Sequence, residues 1–222
     1  MTIYKADITG KIRKAIDDIM PSASDSFTAN TDAELWQATQ HAVEQLLLEL
    51  PLEMMDHSSM LPLASGAHTQ NADGSGYVKV ADGFLRFVSM KLSTWLSPVY
   101  VLIEPGSDEE MRQRTRWGRG TPEKPRVMLD SDASGNTVLR YWTAGKSGTP
   151  PQYVHTVEQL NYIPMPTVTD AVIDQTTHQV TTDAHITCAL KSVAEKAVIY
   201  RAASIFFEGK KEPETADKFR NI

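Results

Sequence analysis

A single cysteine, Cys188, occurs in the 222 residues. One thiol excludes an intramolecular disulfide framework and a cysteine-based zinc cluster. Beside Leu190, in a stretch with helical spacing, Cys188 is expected to be a small buried hydrophobe. Long apolar runs are also missing. None reaches the length that crosses a bilayer, and the first residues lack the uninterrupted apolar core of a signal peptide, so export by that route is not expected. Motifs for catalysis are just as scarce. His41, His57, His68, His155, His178 and His185 show no H-E-x-x-H or comparable ligand spacing. His178, His185, Asp170, Asp174 and Asp183 come nearest to a cluster, but Thr176, Thr177, Thr181 and Thr182 share the stretch, which reads as a polar connector. Ser65-Gly66, Gly74-Ser-Gly76 and Gly118-Arg-Gly120 lack both the phosphate-loop pattern and its strand-to-helix context, and no G-x-S-x-G elbow occurs. No metal, no cofactor and no enzymatic activity are expected.

What is present is the composition of a globular chain, 41% hydrophobic and 23% charged, long enough for one domain or a domain with an insert. Ile8, Ile12, Ile16 and Ile19 fall at helical intervals until Pro21. Thr31-x-x-Glu34 fits a capping box, in which the hydroxyl accepts an orphan backbone N–H and the glutamate returns to the cap's own N–H. Leu35, Ala42, Val43, Leu46, Leu47 and Leu50 then carry an apolar stripe to Pro51. A third helix is expected to open at Asp183 and to bury Ile186, Leu190, Val193 and Ala197. It becomes apolar nearly all round through Ala197–Phe207, so it must be covered on every side, by its own chain or by another subunit. Gly209 suits the residue after its end, and Pro213 restarts a short helix toward Phe219.

The middle reads as strands. Tyr77–Val80, the turn Asp82-Gly83 and Phe84–Leu92 give a strand, a turn dipeptide and a longer strand. Arg126–Asp130 and Thr137–Trp142 flank a Ser131–Asn136 turn, and Glu158–Ile163 adds a further strand. Ser107-Asp-Glu-Glu110 fits another helix cap. The stretch from Asp56 to Gly76 has no periodicity and reads as a long surface loop. The expected fold is α+β. Residues 1–56 and 167–222 form a helical bundle (Leu35, Val43, Leu46, Ile186, Leu190, Val193 and Ala197 in its core), 57–75 form the loop, and 76–166 form an inserted small β-sandwich or barrel.

Net charge is −6, unevenly spread. Arg112 to Arg126 holds Arg112, Arg114, Arg116, Arg119, Lys124 and Arg126 against Glu123, a local +5 that leaves −11 elsewhere. Two functional readings compete with a third, bland one. The patch could bind phosphates of nucleic acid or dock on the acidic surface of a neighbouring copy. Otherwise it is a solvated loop whose arginines pair with Asp108, Glu109 and Glu110. Trp117, between Arg116 and Gly118, favours an interface, because tryptophan and arginine are enriched at protein–protein hot spots.

Helices, a long loop, a β-rich insert and a returning helix, Ser192-Val-Ala-Glu-Lys-Ala-Val-Ile-Tyr-Arg-Ala-Ala-Ser-Ile-Phe-Phe-Glu-Gly209, before a short charged helix resemble the head-to-tail connector proteins of tailed bacteriophages. More narrowly, the chain looks like the adaptor or gatekeeper rings beneath the portal of short-tailed phages, with the ring proteins of crAss-like phages as a further candidate. The resemblance runs from about Tyr4 to Phe219. It implies a virion protein assembled in the host cytoplasm, a dodecameric ring contacting the portal and tail or further ring proteins. DNA would pass through the lumen without sequence-specific binding or turnover, and no membrane is involved. The alternatives in other classes are a nucleic-acid-binding accessory protein using residues 112–126, and a small hydrolase or metal-dependent enzyme with carboxylates not recognisable by spacing.

Overall fold

The isoleucine spacing near the start does form a helix. In the computed structural model, which describes residues 1–21, 31–71, 74–115, 117–143, 155–173 and 180–220, α1 spans Lys5–Ile19 and buries Ile8, Ile12 and Ile16 completely. α2, Thr31–Glu49, buries Leu35, Trp36, Ala38, Ala42, Val43, Leu46 and Leu47. Thr31 already lies within its first turn, so the capping position falls at residue 30, outside the described residues, and Glu34 instead reaches Lys210 at 2.6 Å. Three further helices are described: α3 at Asp108–Gln113, α4 at Glu195–Gly209 and α5 at Pro213–Arg220. α4 packs against α1, α2 and α5, and no residue from Ala197 to Phe207 is exposed. Its own chain buries one side of it, while Ala197, Ile199, Tyr200, Arg201 and Ile205 stay half-buried. Phe207 stacks on Phe219 of α5 with centroids 5.5 Å apart.

The chain divides into two compact units, Met1–Asp56 with Pro164–Ile222, and His57–Ile163. Both mix helix and strand, so the fold is α+β. In the first unit the helix expected from Asp183 is absent. Residues 185–187 form a strand that pairs on both sides, because the alternating His185-Ile186-Thr187 suits a pleated ribbon with Ile186 inward. With β1 at Thr2–Tyr4, β9 at Thr167–Thr169 and β12 at His185–Thr187, the antiparallel order is β1-β12-β9, and Ile186 faces Ile3 and Val168. Leu190 is fully buried, but in a bridge to Met55. Cys188 is buried off any helix, its amide donating to the Met1 carbonyl at 3.0 Å, and burial raises its thiol pKa. Val193, in a 3₁₀ turn at Ser192–Ala194, is 68% exposed, and Ala197 is only half-buried. The helix begins about three turns later than the spacing suggested, at Glu195 and not just after Asp183, so its buried face is Val198, Ala202, Ala203, Phe206 and Phe207. The stretch read as a polar connector holds the hairpin of β10, Val172–Ile173, and β11, Val180–Thr182. At the far end of α4, the left-handed residue is Lys211, with φ of 61°, in place of Gly209.

The second unit carries two further sheets. One has the order β3-β4-β7-β6, with β3 at His68–Gln70, β4 at Gly76–Lys79, β6 at Arg126–Ser131 and β7 at Thr137–Trp142. The β6–β7 hairpin is the one the turn residues predict. Gly135 at its tip has φ of 82°, and the Asp132 carboxylate accepts the amides of Ser134 and Asn136 at 2.8 and 2.9 Å. The Asn136 side-chain amide, donating to the same carboxylate at 3.0 Å, and then those backbone bonds hold the Asp132 pKa low. The other sheet has the order β2-β8-β5, with β2 at Ser58–Ser59, β5 at Phe84–Leu92 and β8 at Val157–Pro164. β4 and β5 flank the Gly83 turn and enter different sheets. One expectation fails here: the stretch 57–75, read as a long loop, holds the paired strands β2 and β3, and Met60 and Leu63 pack on the core. That core gathers Val78, Met90, Leu92, Trp95, Val127, Leu139, Tyr141 and Leu160.

Candidate functional site

Ser107 caps α3, its hydroxyl accepting the Glu110 amide at 3.2 Å, which puts three acidic residues in the first turn, at the positive end of the dipole. The arginines that follow leave this short helix in different directions. Arg112 is exposed. Arg114 meets Glu110 at 2.9 Å, Arg126 at the start of β6 meets Glu109 at 3.0 Å, and the Arg119 Nε donates to the Gln113 carbonyl at 3.1 Å. Glu110 has its pKa lowered, first by the Gly106 amide and then by Arg114. Arg116 lies outside the described residues. Ion pairs on so exposed a surface contribute little to stability, so the bland expectation of arginines paired with the neighbouring glutamates accounts for part of the patch.

It does not account for Trp117, which is 93% exposed. The turn that presents it is built inward, on Gln113. That side chain is buried, donates from Nε2 to the Glu109 carbonyl at 3.0 Å and accepts the Gly120 amide on Oε1 at 2.8 Å. Thr115 adds a second tie, donating its hydroxyl to the Arg112 carbonyl at 2.8 Å and accepting the Gly118 amide at 3.2 Å. The Gly118-Arg-Gly120 pair, which matches no phosphate loop, has a packing reason. A Cβ on Gly118 would sit 2.5 Å from the Arg112 carbonyl oxygen, and one on Gly120 2.5 Å from that of Trp142. The segment is thus a braced turn holding a large aromatic ring in solvent. Gln113 was invisible in the sequence, because nothing local distinguishes a glutamine that folds under its own loop; the two glycines were the available signal.

A second constellation lies in the core of the same unit. The Tyr141 hydroxyl and His68 Nε2 share a hydrogen bond of 2.8 Å, and Thr94 Oγ1 and His155 Nδ1 share one of 2.7 Å. The His155 amide donates to Gln70 Oε1 at 3.0 Å. Trp95 and His155 both meet the Tyr141 ring edge-on at 6.1 Å. Burial lowers the pKa of both imidazoles, His68 adding to the effect on His155, and it drives the Tyr141 hydroxyl far above its ordinary value. All three groups are neutral near pH 7, and they knit the core without presenting a charged nucleophile. The sequence treated His68 and His155 as unrelated, 87 positions apart. Among the described residues no group of three or more His, Cys, Asp or Glu side chains is arranged to hold a metal ion, and no helix is long and apolar enough to cross a membrane. Of the nearest metal cluster in the sequence, His178 and Asp174 lie outside the described residues, and His185 Nδ1 bonds the Asp183 carbonyl at 2.9 Å. No protein-family model matches the chain, and no curated protein matches it.

Proposed function

We propose that this chain is a structural, non-enzymatic subunit of a phage head-to-tail connector ring that joins portal to tail and lines or gates the DNA channel. In this reading the terminal helices form one bundle, the β-rich unit is a sandwich or barrel inserted into it, and the ring is a dodecamer in the virion. The observation that carries the proposal is Trp117, displayed on a hydrogen-bonded turn between arginines. A protein that acts alone gains nothing from an indole held in water, whereas a desolvated tryptophan at the centre of an interface is worth ~2 kcal/mol or more when truncated. Arg112, Arg114, Arg119 and Arg126 would supply the polar rim of such a contact.

The test is the size of the purified protein by sedimentation, with negative-stain imaging of any assembly. A ring that dissociates in Trp117→Ala, with the folded monomer's melting unchanged, supports the proposal. A chain that assembles equally well with Trp117→Ala and Arg116→Ala combined returns the turn to a solvated loop. The alternative, a nucleic-acid-binding accessory protein, draws on the same arginines. It predicts DNA retention that falls steeply with salt and that weakens with each arginine removed.

A further inference from the structure

Trp117 needs a hole, and the first unit offers one. Between α2 and the end of α4 lies an open cavity of about 280 Å³ lined by Glu34, Gln37, Ala38, His41, Phe206 and Lys210. Its floor is apolar, while Gln37 and His41 on its rim are exposed. The Lys210 ammonium stands 5.4 Å from the Phe206 ring centroid and 2.6 Å from Glu34. An indole entering there would meet both an apolar base and a cation able to lie over its face, and tryptophan is the side chain that best accepts one.

Charge points the same way. α2 carries Asp32, Glu34, Glu44 and Glu49 and no lysine or arginine. Three of these acids meet cations of neighbouring helices, Asp32 with Arg13, Glu34 with Lys210 and Glu49 with Arg201. Even so, the unit made of 1–56 and 164–222 holds 11 lysines and arginines against 18 aspartates and glutamates, whereas 57–163 holds 11 against 10. One unit is acidic on balance, and the other concentrates its positive charge on the turn that bears the indole. Complementary fields of this kind set the register of a contact and speed its formation.

We infer that the Trp117 turn of one copy docks into the α2–α4 groove of the next, a heterologous head-to-tail contact between identical chains. The inference rests on the ring reading and deepens it. Knob and hole are different residues, so the contact closes as a two-fold dimer only where each copy fills the other's groove at once, and otherwise its repetition generates a ring or a filament; wild-type assemblies larger than a dimer mark the second case.

The test is complementation between two variants whose changes are all at exposed positions. Trp117→Ala has an intact groove and no knob. The double variant Gln37→Arg, His41→Arg has an intact knob and a groove rim that repels it. Each alone is expected to lose association by about tenfold or more in the dissociation constant, and their equimolar mixture to form dimers and nothing larger, since only one competent contact remains. Circular dichroism confirms that both remain folded. If the groove variant assembles like the wild type, the inference falls while the ring reading stands. A mixture that stays monomeric when wild type assembles overturns it as well, and a wild-type chain that never assembles overturns both.

Discussion

At the level of single residues, the tightest constraint is Gly76, whose neighbour is the Tyr141 ring. A Cβ there would collide with the Tyr141 hydroxyl and lie 2.5 Å from the Thr69 carbonyl oxygen. Gly76→Ala is therefore expected to destabilise the β-rich unit by about 1–3 kcal/mol in urea unfolding. Gly10 is the contrasting case. It is exposed inside α1 with nothing within 4 Å of a Cβ, so Gly10→Ala should stabilise by up to ~1 kcal/mol, through helix propensity alone. The buried imidazoles yield a pH dependence whose sign follows from linkage. Burial lowers the pKa of His68 and His155 in the folded state, so as pH falls below about 6.5 the unfolded chain takes up protons first and stability is lost. Among the described residues, Tyr141, Thr94 and Gln70 bond to them, and none of these three carries a negative charge near pH 7 that would reverse the sign. The urea midpoint is expected to drop between pH 7.5 and 5.5, and the drop to shrink in His155→Gln. A flat profile in the wild type would contradict this assignment.

Elements show where spacing is reliable and where it misleads. α1 has one buried stripe and little else in contact with α4, so Ile12→Ala should cost ~2–5 kcal/mol of the first unit's stability. Val193 sits in the same helical spacing series as Ile186 and Leu190 yet is exposed, and Val193→Ala should move the melting curve by less than about 0.5 kcal/mol. A large loss there would restore the helix that the spacing suggested from Asp183. For the turn after α3, the prediction concerns local order. Gln113→Ala removes the acceptor of the Gly120 amide, so that amide should lose protection in hydrogen exchange while the β6–β7 hairpin keeps its own. Unchanged protection at Gly120 would mean that the brace is not what holds Trp117 outward.

For the whole molecule, the β-rich unit has its own apolar cluster, and its main-chain pairing closes between β2 and β8 near its two ends. Residues 57–163 expressed alone should therefore unfold cooperatively with a β-type far-UV spectrum; a non-cooperative transition would mean that the cluster depends on the remaining chain. The sequence by itself determined the amphipathic helices α1 and α2, the β6–β7 hairpin and the Ser107 cap, because each is specified by contacts within a few residues: a 3.6-residue stripe, an Asp and Gly turn, a hydroxyl three residues before an amide. It also located the basic turn and its tryptophan. It misread 183–193, where the spacing of Ile186, Leu190 and Val193 satisfies a helix as readily as a strand and a bridge. Pairing with β1 and β9, the one at the chain's start and the other far upstream of α4, decides between them. The same holds for Ser58–Ser59, paired with residues about a hundred positions away in β8, and for the meeting of His68, Tyr141 and His155. Only the tertiary structure decides such features, because strand pairing and burial depend on distant segments whose approach leaves no periodic trace in the local sequence.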